Sequence, residues 1–405
     1  MKPIVRAERM KPVHSDIRGP LFVEAMKRQK QGIDILKLNT GNPATFGFGL
    51  PDSIKNALME HMQDGVGYCD FKGMPQARQA ICDYETSKGI KGITSDDVFI
   101  GNGVSEVVSF ALTPLLNDGD EVLVPSPSYS LWGNSVYLED GKPVFYTCDE
   151  QANWYPDIQD IRSKITDKTK AIVIINPNNP TGVLYPKEIL LEIIQVAREF
   201  GLLIFADEIY DRLVMDGKQH ISLASLTEDV PVITLNGLSK SHCLCGYRCG
   251  WMVISGPREL TEDYRQGIIQ LTSLRLCANT MAQIVIPAAL DDMKTPASMV
   301  CPGGRIYEQR EATVRELEKI NGLSFVKNDA AFYVFPKLDV KKFNITNDKQ
   351  FAHDLLDATN ILLVPGSGFD WKDPDHFRIV MLPQADVLSD AIRRMGTFLD
   401  GYTQK

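Results

Sequence analysis

The sequence contains no run approaching the roughly 18 uninterrupted apolar residues that a membrane span requires. Its first twenty residues, MKPIVRAERMKPVHSDIRGP, hold no apolar stretch of the secretory kind. A cytoplasmic protein without a membrane partner is therefore expected. Positive charge is also in short supply, with 43 Lys and Arg against 52 Asp and Glu and a net charge of -9. With no basic stripe and no zinc-finger or helix-turn-helix spacing, a nucleic-acid partner is not expected. Cysteine is sparse: eight thiols are scattered except for Cys243, Cys245 and Cys249. Paired secretory spacing is missing, which points to reduced thiols. The trio has no second ligand pair at zinc-site spacing, so packing thiols rather than a metal are expected there. Internal repeats, low-complexity tracts and charge blocks are absent as well.

What is present is ordinary globular material, 405 residues with 44% hydrophobic and 23% charged side chains. That length suits a large α/β domain plus a smaller one. Short apolar runs alternate with helical patterns, as in βαβ units around a mostly parallel sheet. Strands are expected at 97–100, 121–124, 171–175, 202–205, 232–235 and 250–254. The run Ala171 to Ile175 is continuously apolar, as for a strand covered on both faces. It stops at Asn176-Pro177-Asn178-Asn179-Pro180-Thr181-Gly182, where two prolines and a glycine forbid continuation. Val104, Val107, Val108, Ala111, Leu112 and Leu115 form a helical stripe, and a second helix is expected from Pro186 to Phe200. Beyond about residue 320 the strands shorten, at 331–335, 361–364 and 377–381. The fold class is therefore α/β, with helices sandwiching the sheet, and three parts are expected. Residues 1–49 form an arm packed on the small domain or on a neighbouring subunit. Residues 50–295 form the large domain, and 296–405 a small α+β domain.

In such sheets ligands collect beyond the carboxyl ends of the strands. Asn179 follows one strand, Asp207 ends the next, Lys240 follows a third, and Arg248 lies eight residues beyond Lys240. Together these are the groups that pyridoxal 5'-phosphate chemistry demands. A lysine amine must form a Schiff base with the aldehyde and then shuttle protons. A carboxylate must keep the pyridine nitrogen protonated, and an arginine fork clamps the phosphate. Gly103-Val104-Ser105 opens a helix after a strand, so its free N–H groups suit a phosphate too. Ser105 is equally readable as an N-cap, and Tyr210 and Tyr129 as packed aromatics.

Asn-Asn-Pro-Thr-Gly at 178–182, Ala-Asp-Glu-Ile-Tyr at 206–210, and Ser239-Lys240 followed by Gly246-Tyr247-Arg248 resemble the signature of fold-type-I, class I/II aminotransferases. The similarity runs from about Arg18 to Arg378. Phrases such as Ile-Arg-Gly-Pro (17–20), Gly-Asn-Gly-Val-Ser-Glu (101–106) and Pro-Gly-Gly-Arg (302–305) are similar to the bacterial glutamate–pyruvate (alanine) transaminase branch. The resemblance implies that Lys240 carries pyridoxal 5'-phosphate, Asp207 holds its ring nitrogen, and Asn179 and Tyr210 bond its ring oxygen. Arg248, Gly103, Val104, Ser105 and Ser239 would hold the phosphate, and Tyr129 would stack on the ring. Arg378, with Asn179 and the Gly41 backbone, would clamp the substrate α-carboxylate. Tyr68 would reach the phosphate of the other subunit of a homodimer. Arg18 would meet a dicarboxylate donor or merely pair with a carboxylate. Where the family often has a phosphate-binding serine, this chain has Gly237, so Ser239 or backbone groups must compensate. The implied reaction is a ping-pong exchange of an amino group between alanine, or another small amino acid, and a 2-oxo acid (2-oxoglutarate or pyruvate). A carbon–sulfur β-lyase on the same scaffold is the alternative.

Overall fold

The computed structural model describes residues 2–405. Its centre is an eight-stranded sheet. In chain order the strands are β1 (Val98–Asn102), β2 (Glu121–Ser126), β3 (Lys142–Asp149), β4 (Tyr155–Pro156), β5 (Thr169–Ile175), β6 (Leu203–Asp207), β7 (Val232–Gly237) and β8 (Cys249–Ser255). Their spatial order is β1-β8-β7-β6-β5-β2-β3-β4. Pairings among β3, β2, β5, β6 and β7 are parallel, whereas β8 runs antiparallel to both β7 and β1. The short β4 is antiparallel on the β3 edge.

The apolar strand sequences place this sheet between two layers, because successive side chains face opposite sides. On one face Leu123, Ile172, Ile174 and Ile204 pack with Leu190, Ile193, Ile194 and Ala197 of helix Lys187–Phe200. On the other, Val122, Val124, Val173 and Phe205 pack with Val107, Val108, Ala111 and Leu112 of helix Val104–Leu112. Both helices fall where the hydrophobic spacing predicts them. Leu115, the last residue of the expected stripe, lies beyond the second helix's end.

Two differences from expectation have physical causes. Gly101 and Asn102 belong to β1, paired with Gly250 and Cys249, so the turn begins only at Gly103. Strand β3 escapes the reading because it mixes exposed, half-buried and buried positions instead of forming an apolar run.

Short strands Tyr333–Val334, Phe377–Val380 and Val364–Pro365 form a separate small sheet. The expected strand at 331–335 shrinks to two residues, with Ala331 in a left-handed turn (φ 59°) just before it. Near the N-terminus, Leu36–Lys37 pairs in parallel with Ile361–Leu362. Helix Pro20–Lys30 buries Ala25 in a cluster with Ile35, Leu356 and Leu362. Among the described residues, no single helix is long and apolar enough to cross a membrane.

The loop after β5 is stapled to the small sheet at Gly182, whose carbonyl accepts from the N–H groups of Asp329 (3.0 Å) and Ala330 (2.8 Å). Gly182 has φ 70°, and a Cβ there would meet Asn328 Cβ at 2.7 Å and two backbone oxygens at 2.8 and 2.9 Å. Gly182→Ala is expected to cost about 2–4 kcal/mol, combining left-handed strain with overpacking. Equilibrium denaturation of the variant beside the parent measures it.

Candidate active site

The parallel strands β5, β6 and β7 end at one edge of the sheet, and so does β1. Because β8 runs the other way, it begins at that edge, and Arg248 sits there by preceding its strand rather than following it. A cavity of about 930 Å³ opens along this edge. Its walls include Asn179, Asp207, Tyr210, Ser239, Lys240 and Arg248 from the strand ends. Val104, Ser105, Tyr129, Gly41, Arg378 and Arg18 complete the expected set around it. Gly103 lies under Arg248, and Tyr68 stands outside, 84% exposed on the surface.

Two buried ionisable groups in this cavity form no ion pair among the described residues. Arg378 is 1% exposed and forms no ion pair among the described residues. Its guanidinium donates to Asn179 Oδ1 (2.9 Å) and to the Asn39 carbonyl, while Nε has no partner. The rings of Tyr333 and Phe369 flank it, each 4.6 Å from Cζ. Burial lowers its pKa, opposed by the nearby tyrosine hydroxyls, yet a guanidinium remains charged. Asp207 Oδ2 accepts from the Trp132 indole at 3.1 Å, and Oδ1 accepts weakly from the Ile209 N–H at 3.4 Å. Burial pushes its pKa up to about 6 despite these donors.

Lys240 Nζ donates to the Gly41 carbonyl at 3.1 Å and lies over the Phe332 ring. Gly41 and Asn39 are two residues apart in one stretch, so a single backbone segment holds both the amine and the Arg378 guanidinium. Tyr210 Oη lies 2.9 Å from Tyr333 Oη, and burial holds the Tyr210 phenol well above its usual pKa. Since Arg378 occupies Asn179 Oδ1, the amide NH2 of Asn179 is the end left to donate to a ligand.

The opposite wall is an anion cradle. Helix Val104–Leu112 is capped by Gly103 (φ 83°) with no side-chain hydrogen bond, so its first N–H groups remain free. Ser105 is the second helical residue, which removes its reading as an N-cap. Arg248 packs so closely on Gly103 that a Cβ there would meet Nη2 at 2.3 Å. Gly237 cannot take a larger side chain: its Cβ would meet the Cys249 carbonyl at 2.5 Å, where β7 and β8 pair. Cys245 Sγ donates to Asn42 Oδ1 at 3.1 Å, Cys243 is half-buried, and Cys249 is buried in β8.

The N-terminal segment roofs the cavity. His14 exchanges hydrogen bonds with Asn134 through its N–H (3.1 Å) and its carbonyl (2.6 Å). Its ring lies between Asp16 (3.8 Å) and Asp370 (2.9 Å), whose carboxylates raise its pKa to about 9. Ile17 and Arg18 then line the cavity, and Arg18 pairs with no carboxylate among the described residues. Asp16 is taken by His14 and Lys349, so the expectation that Arg18 merely pairs with a carboxylate fails.

Sequence reasoning missed Trp132, Tyr333, Asn39 and the roof residues His14 and Ile17. Trp132 and Tyr333 are buried aromatics on other elements, and nothing in their local sequence marks them. Asn39 acts through its carbonyl, which any residue supplies.

The cavity thus offers an amine, a buried carboxyl group, a helix N-terminus beside Arg248, and a buried arginine with no ion pair among the described residues. Comparison with known proteins agrees with this chemistry. Residues 33–394 match the model of the family described as aminotransferase class I and II, and the chain belongs to that family. It is 49% identical to the glutamate-pyruvate aminotransferase AlaA of Haemophilus influenzae over 404 residues, covering 100% of both chains. It is 45% identical to the alanine aminotransferase of Mycobacterium tuberculosis, covering 100% of this chain and 94% of that one. The crystal structure of an aminotransferase from Escherichia coli superposes with a TM-score of 0.98 at 46% identity, covering 100% of both chains. The chain is an aminotransferase of the α/β fold expected from its sequence, and these relatives lend no support to a carbon–sulfur lyase.

The raised pKa of Asp207 has a stability consequence. In the ligand-free protein its folded value of about 6 exceeds the ordinary 3.8. Folding therefore favours the protonated acid, and stability falls as pH rises from about 4 through 6. Asp207→Asn, which keeps the shape without the charge, should melt like the parent at pH 4. At pH 7.5 it should be more stable by up to about 3 kcal/mol. Thermal melts of protein dialysed free of small molecules at both pH values provide the check.

Proposed function

We propose that this aminotransferase binds pyridoxal 5'-phosphate and exchanges amino groups between alanine and glutamate and their oxo acids, pyruvate and 2-oxoglutarate. The observation that carries the reading is the buried, unpaired Arg378, tied through the 39–41 segment to the amine of Lys240. An α-amino acid presents a carboxylate and an amine on one carbon: Arg378 suits the carboxylate, and the amine would then lie beside Lys240. The cradle at Gly103 and Arg248 and the unpaired Asp207 fit the cofactor's phosphate and protonated ring nitrogen. Bound pyridoxal phosphate supplies an aldehyde to receive the amino group and a ring to accept the electrons freed at the α-carbon.

The chain's own residues do the rest. Arg378 and Asn179 orient the α-carboxylate, and Asp207 keeps the ring nitrogen protonated. Tyr210 and Asn179 would donate to the ring oxygen, and Tyr129 would stack on the ring. Val104, Ser105, Ser239 and Arg248 would hold the phosphate. Lys240 would take the proton from the substrate α-carbon and deliver it to the carbon that carried the cofactor's aldehyde. The relatives named for glutamate–pyruvate and alanine transfer support the choice of substrates. Chemically, Ile17, Leu131 and Leu138 suit a short apolar side chain, while Arg18 suits the distal carboxylate of a five-carbon dicarboxylate.

The experiment is a panel of amino donors scored by absorbance of the bound cofactor in single half-reactions. Glutamate and alanine should react, and Lys240→Ala should bind the cofactor yet turn over neither. In Arg18→Ala, KM for glutamate and 2-oxoglutarate should rise about 10-fold, with alanine and pyruvate changed less than twofold. Release of pyruvate, ammonia and a thiol from cystathionine without an oxo-acid acceptor would sink the reading.

We also propose a homodimer sharing its sites. Met59, Met62, Val66, Tyr68, Leu274, Leu276 and Met281 are all exposed. Their two segments adjoin, since Thr280 Oγ1 donates to the Gly65 carbonyl at 2.6 Å. An apolar patch of this kind suits a second copy and brings Tyr68 toward that copy's phosphate cradle. Analytical ultracentrifugation should find a dimer for the parent. Leu274→Glu should shift it toward monomer and weaken cofactor retention, and a parent that sediments as a monomer refutes the arrangement.

A further inference from the structure

Tyr333 was assigned no part in the chemistry above, yet it is the residue around which the ring-oxygen and carboxylate sites meet. It is 2% exposed and lines the cavity. Its hydroxyl lies 2.9 Å from that of Tyr210, and its ring supports the Arg378 guanidinium at 4.6 Å. Space for that hydroxyl exists only because residue 41 is glycine: a Cβ there would meet Tyr333 Oη at 2.4 Å. The same glycine's carbonyl receives Lys240.

A phenol has one proton to donate. If Tyr210 donates its proton to Tyr333, none remains for the cofactor. If Tyr333 donates to Tyr210, the Tyr210 proton is free to point at the ring oxygen. An anionic ring oxygen selects the second arrangement, because a hydrogen bond to a charged acceptor is the stronger one and each donation along the chain strengthens the next. We propose, building on the pyridoxal phosphate reading above, that Tyr333 is a positioning residue that fixes the direction of the Tyr210 hydroxyl and so tunes the proton shared by Lys240 and the cofactor. Its ring separately backs Arg378, so the two roles divide between hydroxyl and ring.

Tyr333→Phe removes the hydroxyl and keeps the ring. The visible absorbance of the bound cofactor reports the proton held between the Lys240 nitrogen and the ring oxygen. A donor into that oxygen draws electron density away and eases the proton's release, so weakening Tyr210 raises the pH midpoint. In the holoenzyme, Tyr333→Phe should raise that midpoint by about 0.5–1 pH unit and lower kcat about 2- to 10-fold, the effect of one hydrogen bond. KM for amino donors should change less than twofold, since Arg378 keeps its support. Tyr210→Phe should shift the midpoint further, and adding Tyr333→Phe to it should produce no additional shift.

An unchanged midpoint in Tyr333→Phe, or shifts that simply add in the double variant, would overturn the inference and leave Tyr333 as packing. A parent protein that acquires no visible cofactor band refutes the pyridoxal phosphate reading, and this inference with it. The two failures are therefore separable in one series of spectra.

Discussion

Arg378 keeps a guanidinium at 1% exposure with no ion pair among the described residues, and much of the surrounding structure serves to make that tolerable. An isolated buried charge is among the most costly features a fold can carry. Here the cost is moderated by a carbonyl from residue 39, the amide oxygen of Asn179, and two aromatic faces. Each partner is neutral. None brings a negative charge of its own, so the arginine is held in place without being neutralised. Asp207 is the mirror case, an acid held by an indole and a backbone N–H but by no cation.

Elsewhere several buried charges are ion-paired. Lys88 is surrounded by Glu85 and Glu208, both at 2.7 Å, and Asp211 at 3.2 Å. Arg265 meets Asp97 at 2.6 Å, and Arg310 meets Asp216. Breaking such pairs typically costs about 3–5 kcal/mol, because the survivor is left buried alone. The Lys88 set flanks the turn that carries Asp207 and Tyr210, since Glu208 and Asp211 interleave with them in sequence. The matched cluster therefore stiffens the turn on which the unmatched acid stands.

Periodicity made the central layers legible before any coordinates. Short runs such as Ala171 to Ile175, bounded by turn residues, read as strands covered on both sides, and the helical stripes on either side of them follow from spacing in the same way. The strand-end residues Asn179, Asp207 and Lys240 were legible for a related reason, because polar groups directly after apolar runs have one edge of the sheet to occupy. Arg248 was found by its spacing from Lys240, although the strand reversal that delivers it was not foreseen. What escaped were contacts between elements distant in sequence. Trp132 reaches Asp207 across 75 positions and Tyr333 reaches Tyr210 across 123. Main-chain carbonyls at 39 and 41 escaped as well, since a carbonyl leaves no trace in residue identity. The roof was invisible because His14 acts through single polar contacts rather than through a repeated pattern.

That roof has an implication for how such an enzyme can diversify. Ile17 and Arg18 belong to a segment that contributes no strand to the central sheet and is fastened at its edge by His14 and Asn134. On the proposed reading, the groups for the far end of a substrate lie at residues 14–18, while those for the reacting atoms lie on the later strand-end loops. Selection can rewrite residues 14–18 and alter which side chains are admitted, leaving the machinery for proton and amino transfer untouched. Appetite and chemistry are inherited on separate stretches of the chain.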